Sequence, residues 1–70
     1  MEQQFKLITD YINLTQLLKA AQVISSGSDA HYLIENGKVK VNGKVDTRKR
    51  AKLYAGDIVE VYAKKIIIVL

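Results

Sequence analysis

The sequence predicts an α+β fold in which a two-helix hairpin packs on one face of a small, mostly antiparallel sheet. In the first half of the chain, two stretches have apolar residues at helical spacing, each behind a helix-capping residue. In the second half, short apolar segments alternate with turn residues, as is typical of β-strands. Because the chain has 70 residues and no cysteine, these elements must share one core, and we expect a single domain over residues 1–70.

The N-terminal part predicts a short strand followed by a helix. Residues 5–8 (FKLI) are apolar enough for a strand, although four residues do not separate strand from helix by periodicity. One stripe of apolar side chains then follows the i, i+3, i+4, i+7 spacing of an amphipathic helix: Leu14, Leu17, Leu18 and Ala21. Asn13 is suited to cap the N-terminus of this helix.

A second helix is predicted after the break at residues 25–28 (SSGS). Ser26 and Asp29 have the spacing of an N-terminal capping signature, and the buried stripe consists of Ala30, Leu33 and Ile34. Gly37 suits the left-handed residue that closes a helix, so we expect the helix to reach about residue 36.

Residues 39–45 (VKVNGKV) predict a β-hairpin around Asn42 and Gly43. A two-residue turn would place one valine and one lysine opposite each other in each pair. A three-residue loop with a bulge would pair Val39 with Val45 and Lys40 with Lys44. We favour the three-residue loop, because it separates a buried valine face from an exposed lysine face.

The rest of the chain predicts two more strands. Residues 46–52 (DTRKRAK) should form an exposed loop, and residues 55–57 (AGD) a turn. Residues 58–62 should form a strand. The apolar residues 66–70 should form the last strand, paired with residues 5–8 and with residues 58–62.

The positive charge is confined to one segment. The chain carries a net charge of +4, whereas residues 38–52 contain seven basic residues and one acidic residue, a net charge of +6. This distribution fits a polyanionic partner or, alternatively, a solvated face that keeps the protein soluble. The seven basic residues are Lys38, Lys40, Lys44, Arg48, Lys49, Arg50 and Lys52.

The order of these motifs resembles the S-four domain, named after small-subunit ribosomal protein four. The resemblance covers about residues 12–62 and is carried by the S-x-G-x-x-A start of the second helix, the G-x-V-x-V-N-G hairpin, the basic loop and the A-G-D-x-V-E strand. The chain is similar to the stand-alone bacterial form of that family. The resemblance implies the RNA-binding alpha-L motif, with a cleft between the second helix and the hairpin that docks on structured RNA, commonly ribosomal or transfer RNA.

We therefore expect an RNA-binding surface formed by the second helix, the hairpin and the basic loop. Arginine forks suit phosphate oxygens, and lysines add neutralising charge. The Asn42 amide could reach a base or a 2′-hydroxyl, although turn geometry alone also favours asparagine there. His31 could approach a phosphate or stack on a base. The expected site residues are Ser26, His31, Lys38, Lys40, Asn42, Lys44, Arg48, Lys49, Arg50 and Lys52.

Other functions find little support in the sequence. With one histidine, no cysteine and scattered carboxylates, neither a catalytic site nor a metal site is indicated, and we expect no enzyme activity and no cofactor. Tyr54 and Tyr62 should pack in or beside the core. No apolar run is long enough to span a membrane, so we expect a monomeric cytoplasmic protein.

Two alternatives remain open. V-N-G with A-G-D-I-V-E-V also resembles small β-grasp carrier proteins, but these act through a C-terminal Gly-Gly, whereas residues 66–70 read IIIVL. A protein-docking module could also use the basic surface to meet an acidic protein. Salt-dependent binding of RNA alone would distinguish an RNA-binding module from a protein-docking module.

Overall fold

The α+β class predicted from the sequence is confirmed by the computed structural model, which describes residues 2–24 and 26–70. The helices are α1 (Leu14–Ala20) and α2 (Gly27–Glu35). The strands are β1 (Glu2–Lys6), β2 (Ile12–Asn13), β3 (Val39–Val41), β4 (Lys44–Val45), β5 (Lys52–Leu53), β6 (Ile58–Val61) and β7 (Lys64–Val69).

Five strands form one sheet in the order β1-β7-β6-β3-β4, and β2 pairs with β5 in a separate antiparallel ladder. Within the sheet, β7–β6, β6–β3 and β3–β4 are antiparallel, whereas β1–β7 is parallel. The sheet is therefore mixed and mostly antiparallel. Strand β7 lies between β1 and β6, as expected for the apolar last strand.

The core lies between the helices and one face of the sheet. Both predicted helical stripes are buried, and they meet the inward residues of β3, β6 and β7. The largest fully buried side chains are Leu14, Leu17, Leu18, Ile34, Val39, Leu53, Val59, Val61, Ile66 and Ile68. No polar side chain of the described residues is buried, so the core is held together by apolar packing.

The predicted caps are present at both helices. The Asn13 side chain accepts a hydrogen bond from the Gln16 N–H (2.9 Å), and the Ser26 hydroxyl accepts one from the Asp29 N–H (3.2 Å). Each cap satisfies one of the N–H groups that the first helical turn leaves unpaired. At the other end of α2, Gly37 has a φ of 71°, as predicted for the closing residue.

The first strand is earlier and more polar than predicted. It covers Glu2–Lys6 rather than residues 5–8, and the Ile8 side chain is exposed. Phe5 and Leu7 do pack on the core, and the Leu7 N–H donates to the Val69 carbonyl. Residues 2–4 extend the strand because β7 offers them backbone hydrogen-bond partners, which do not depend on apolar side chains.

The favoured hairpin register is wrong. Lys40 pairs with Val45, and Val41 with Lys44, across a two-residue turn. Asn42 and Gly43 have φ values of 52° and 85°, as a turn of this length requires for its twist to match the strands. Val45 is consequently 53% exposed. Hydrogen bonds between Asn42 and residues 57–58 stabilise the short turn, whereas a three-residue loop would bury only one more valine.

Candidate functional site

The tip of the hairpin is held in place by Asn42. Its backbone N–H donates to the Ile58 carbonyl (2.7 Å), and its amide oxygen accepts from the Ile58 N–H (2.9 Å). Its amide nitrogen donates to Asp57 Oδ1 (3.1 Å), while Asp57 Oδ2 accepts from the Tyr54 N–H (2.7 Å). The Asn42 side chain, which we expected to contact RNA, therefore uses its oxygen and one of its N–H groups in hydrogen bonds that position the hairpin.

The segment from residue 46 to 52, the basic loop, is fixed to the start of α1. The Leu14 N–H donates to the Ala51 carbonyl (3.0 Å). Both the N–H and the hydroxyl of Thr15 donate to the Lys49 carbonyl (3.2 and 2.9 Å). Helix N–H groups that lack a partner within α1 thereby stabilise the loop. The basic loop is thus not simply an exposed loop: Ala51 is buried, and the segment ends in β5.

Two of the three cations at the centre of the basic loop are paired with carboxylates. Arg48 donates through Nε and Nη2 to the two oxygens of Asp46 (3.1 and 2.9 Å). The side-chain hydrogen bond from Arg48 lowers the pKa of Asp46, and the same bond raises the pKa of the Arg48 guanidinium. Lys49 lies 3.4 Å from a carboxylate oxygen of Glu35, in the last turn of α2. These pairs restrain the Arg48 and Lys49 side chains, which remain exposed to solvent.

Four cations line two adjoining depressions that share Arg48. Lys44 and Arg48 lie in the depression between the hairpin and the basic loop, and Arg50 and Lys52 lie with Arg48 in the next one. All four residues are exposed. We call this surface the basic groove and define it by Lys44, Arg48, Arg50 and Lys52.

The structure does not bring Lys40 and Lys44 together. Lys44 pairs with Val41, whereas Lys40 pairs with Val45 and, on its other side, with Glu60. Since opposite residues in a ladder share a face, Lys40 lies on the outer face of the sheet, away from Lys44. The expected single lysine face of the hairpin is therefore absent.

Three other expected residues lie in α2 or next to its ends. Ser26 is at its N-terminus, where its hydroxyl caps the helix, and His31 is a half-buried residue in the middle. Lys38 is exposed and follows the C-terminal end of α2. Since Lys49 pairs with Glu35 at the C-terminal end, a nine-residue helix of about 1.5 Å per residue separates Ser26 from the basic loop. The structure therefore places Ser26 apart from the basic groove.

Sequence reasoning missed Tyr11, and it placed Tyr54 and Tyr62 in or beside the core although both are exposed. Tyr11 and Tyr54 lie beside the β2–β5 ladder with ring centroids 6.2 Å apart, and Lys52 Nζ lies 4.9 Å from the Tyr11 centroid. Tyr62, expected in or beside the core, is 71% exposed at the β6–β7 turn. No local pattern predicts these contacts, because β2 and β5 are about forty residues apart in the chain.

Within residues 2–24 and 26–70, no group of three or more histidine or acidic side chains is arranged to hold a metal ion. None of the described helices is long and apolar enough to cross a membrane.

Comparison with known proteins shows clear relatives. A model of the S4 domain family matches residues 5–69. The chain is 41% identical over 61 residues to the "Probable ribosome maturation protein RlbA" of Bacillus subtilis (strain 168), covering 87% of this chain and 86% of that protein. It is 45% identical over 49 residues to the "Putative RNA-binding protein YbcJ" of Escherichia coli (strain K12), covering 70% of each.

A solved structure has the same fold. The solution structure of YbcJ from E. coli, which contains an alpha-L motif involved in RNA binding, superposes with a TM-score of 0.75. The two chains are 37% identical, and the match covers 96% of this chain and 86% of YbcJ. The similarity therefore extends over the helices, the hairpin and the basic loop.

Proposed function

Because the chain belongs to the S4 domain family, we propose that it binds structured RNA through the basic groove and has no catalytic activity. The relatives support this proposal, since RlbA is described as a ribosome maturation protein and YbcJ as an RNA-binding protein. Of the candidate targets, ribosomal RNA is favoured over transfer RNA by the description of RlbA. In this proposal, residues 1–70 act as one monomeric domain in the cytoplasm, without a cofactor.

The observation that carries the proposal is the attachment of the basic loop to α1. Three hydrogen bonds from Leu14 and Thr15 hold the loop backbone, and buried Ala51 anchors it in the core. The charged side chains therefore project from a defined backbone. A binding surface that is ordered beforehand loses less conformational entropy when it meets a ligand.

The chemistry of the basic groove suits phosphate groups. Asp46 accepts from Nε and Nη2 of Arg48, which orients the guanidinium and leaves its other N–H groups available to a phosphate oxygen. Arg50 has no ion-pair partner among the described residues, so its full charge is available. Lys44 and Lys52 extend the positive surface on either side.

The shape of this surface favours RNA over duplex DNA. Arg48 and Arg50 lie on the basic loop, and Lys44 and Lys52 begin the two-residue strands β4 and β5. No exposed helix presents these cations as a row. Such a surface fits the wide minor groove and irregular backbone of folded RNA better than the DNA major groove, which accepts a helix or ribbon. Ribosomal RNA fragments and a transfer RNA should therefore bind more tightly than duplex DNA of equal charge.

The test compares two charge-matched double variants. Replacing Arg48 and Arg50 with glutamine should weaken binding to a ribosomal RNA fragment and lower the slope of log affinity against log salt by roughly 1 to 2. Replacing Lys6 and Lys64 with glutamine removes the same charge from exposed positions outside the basic groove. Equal losses of RNA affinity in both variants would show that net charge alone causes the effect. They would contradict the basic groove as the binding site.

Two further outcomes would contradict other parts of the proposal. Equal affinity for RNA and duplex DNA throughout the salt titration would make the protein a general polyanion binder. Absence of any RNA binding at low salt would favour the alternative of a protein-docking module, in which the basic groove meets an acidic protein.

A further inference from the structure

The β2–β5 ladder places two exposed tyrosines opposite each other. Tyr11 directly precedes β2 and Tyr54 directly follows β5, and Ile12 pairs with Leu53 in the ladder between them. The side chains are 44% and 50% exposed. A large aromatic ring in a small protein contributes most when it is buried, so the exposure of two neighbouring rings requires another explanation.

Both tyrosines are held by their backbones. The Thr9 hydroxyl donates to the Tyr11 carbonyl (2.7 Å), and the Tyr54 N–H donates to the Asp57 carboxylate (2.7 Å). The ring planes are inclined by 50° with centroids 6.2 Å apart. The two rings therefore contact each other without stacking face to face. Lys52 Nζ lies over the Tyr11 ring, but both tyrosines remain partly exposed, so ring surface is open to a third planar group.

Tyr11 also forms part of the wall of an apolar groove between the N-terminal segment and α1. The groove has a volume of about 530 Å³, within the range of roughly 300–1,000 Å³ found for small-molecule sites. Its walls are largely apolar, and polar side chains lie among them. The lining residues that matter here are Phe5, Ile8, Tyr11, Ile12, Gln16 and Lys19.

The charge around the tyrosines matches a nucleic acid strand. Lys52 Nζ lies 4.9 Å from the Tyr11 ring centroid, and Lys52 is also a member of the basic groove. Lys19 lies among the residues lining the apolar groove. A nucleotide has an anionic phosphate next to a flat base with apolar faces and a polar edge. This combination corresponds to a lysine beside aromatic rings and an amide such as that of Gln16.

We propose that Tyr11 and Tyr54 form a stacking site for one unpaired nucleobase of the bound RNA, at the mouth of the apolar groove. The inference rests on the proposed function, because the phosphate next to that base is held by Lys52 in the basic groove. The base stacks on a tyrosine ring, and its edge meets Gln16. The protein thus recognises a junction between a folded RNA segment and a single-stranded nucleotide.

The test uses a short RNA hairpin in three forms. The first is blunt. The second carries an unpaired adenosine tail, at the 5′ end in one RNA and at the 3′ end in another, and the third carries the same tails without their bases. The wild-type protein should bind one of the tailed hairpins at least about fivefold more tightly than the blunt hairpin. The abasic tail should not give this gain, because it keeps the phosphates and lacks the bases.

Three variants test whether the Tyr11 and Tyr54 rings cause the gain in affinity that the adenosine tail gives. The double variant Tyr11→Leu, Tyr54→Leu should lose the gain while binding the blunt hairpin as before. The double variant Tyr11→Phe, Tyr54→Phe should keep it, because phenylalanine retains the ring face. The matched control Tyr62→Leu changes an exposed tyrosine at the β6–β7 turn, which does not line the apolar groove, and it should keep the gain.

The results separate this inference from the proposed function. Three outcomes would each overturn the stacking site and leave RNA binding intact. The wild-type protein could bind blunt and tailed hairpins equally, the abasic tail could give the full gain in affinity, or the leucine variant could keep that gain. A wild-type protein that binds none of the RNAs would overturn the proposed function itself. As a readout independent of the variants, nuclear Overhauser contacts between adenine protons and the Tyr11 or Tyr54 ring are expected in the tailed complex, and their absence contradicts the site.

Discussion

Asn42 and Asp57, 15 positions apart in the chain, are joined by a hydrogen bond of 3.1 Å from the amide nitrogen to the carboxylate. The bond ties the hairpin turn to the turn that precedes β6. The V-N-G and A-G-D segments, which contributed to the resemblance to the S-four domain, therefore contact each other in the folded protein. The 15 positions between Asn42 and Asp57 allow the two turns to pack together.

The first prediction concerns this contact. Replacing Asn42 with glycine keeps the positive φ of the turn but removes two side-chain hydrogen bonds, and it should lower the free energy of unfolding by about 1–3 kcal/mol. Replacing Asn42 with alanine should cost roughly 1 kcal/mol more, because alanine is strained at a φ of 52°. Urea denaturation measures both values.

A double-mutant cycle tests the same contact more directly. Asp57→Ala alone should be destabilising, and in combination with Asn42→Gly the two losses should not add, because they share a hydrogen bond. Additive losses would show that the two side chains stabilise the fold independently.

The second prediction concerns the ends of the helices, which are closed by the same hydrogen-bond pattern. After α1, the Gln22 N–H donates to the Lys19 carbonyl and the Val23 N–H to the Leu18 carbonyl; after α2, Gly37 and Lys38 make the equivalent bonds. Gln22 has a φ of 60°, where a side chain is unfavourable.

Replacing Gln22 with glycine should therefore raise the free energy of unfolding by about 1 kcal/mol, since glycine adopts this conformation without strain. The reverse change, Gly37→Ala, should be destabilising by a similar amount at a φ of 71°. Thermal melting of both variants is the measurement. A Gln22→Gly variant less stable than wild type would show that the Gln22 side chain contributes more than its backbone strain costs.

The third prediction separates the shape of the basic loop from its charge. Thr15→Val removes the hydroxyl that donates to the Lys49 carbonyl and alters no charge. The free energy of unfolding should fall by about 0.5–1.5 kcal/mol, and RNA affinity should fall a few-fold because the loop is less well ordered.

Thr15→Ser keeps the hydroxyl and is the matched control, so it should retain the affinity of the wild type. Binding is measured by titration at constant salt concentration. If Thr15→Val loses stability and retains full affinity, the order of the basic loop is not needed for binding.

The fourth prediction concerns pH. The side-chain hydrogen bond from Arg48 lowers the pKa of Asp46 in the folded state, so folded Asp46 binds protons less readily than unfolded Asp46. Its stabilising effect is therefore complete above the ordinary aspartate pKa of about 3.9, and it is lost as the pH falls through the lowered pKa.

The Asp46→Asn variant should consequently be less stable than wild type at neutral pH, and the difference should close in acid, below about pH 3.9. The effect should be modest and should shrink with added salt, because the Arg48 side chain is exposed. Thermal melting across this pH range measures the difference. A difference that stays constant into strong acid would mean that the ion pair with Arg48 does not stabilise the fold.

The candidate site was predictable in composition and only partly in arrangement. The sequence located the cations of residues 38–52, and all seven are exposed. It did not predict that Lys40 and Lys44 lie on opposite faces, that the Asn42 amide bonds within the protein, or that Tyr11 meets Tyr54. Each of these depends on the register of a ladder, and a shift of one residue moves a side chain to the other face.

By itself, the sequence determined the two helices, their caps, the presence of the hairpin and the last two strands, because capping and apolar periodicity act between residues a few positions apart. Only the tertiary structure decided the hairpin register, the path of the basic loop along α1 and the pairing of β2 with β5. These features depend on hydrogen bonds and packing between segments distant in the chain, such as Thr15 with Lys49 and Asn42 with Asp57. No local pattern encodes such contacts, since they form only when the core brings the segments together.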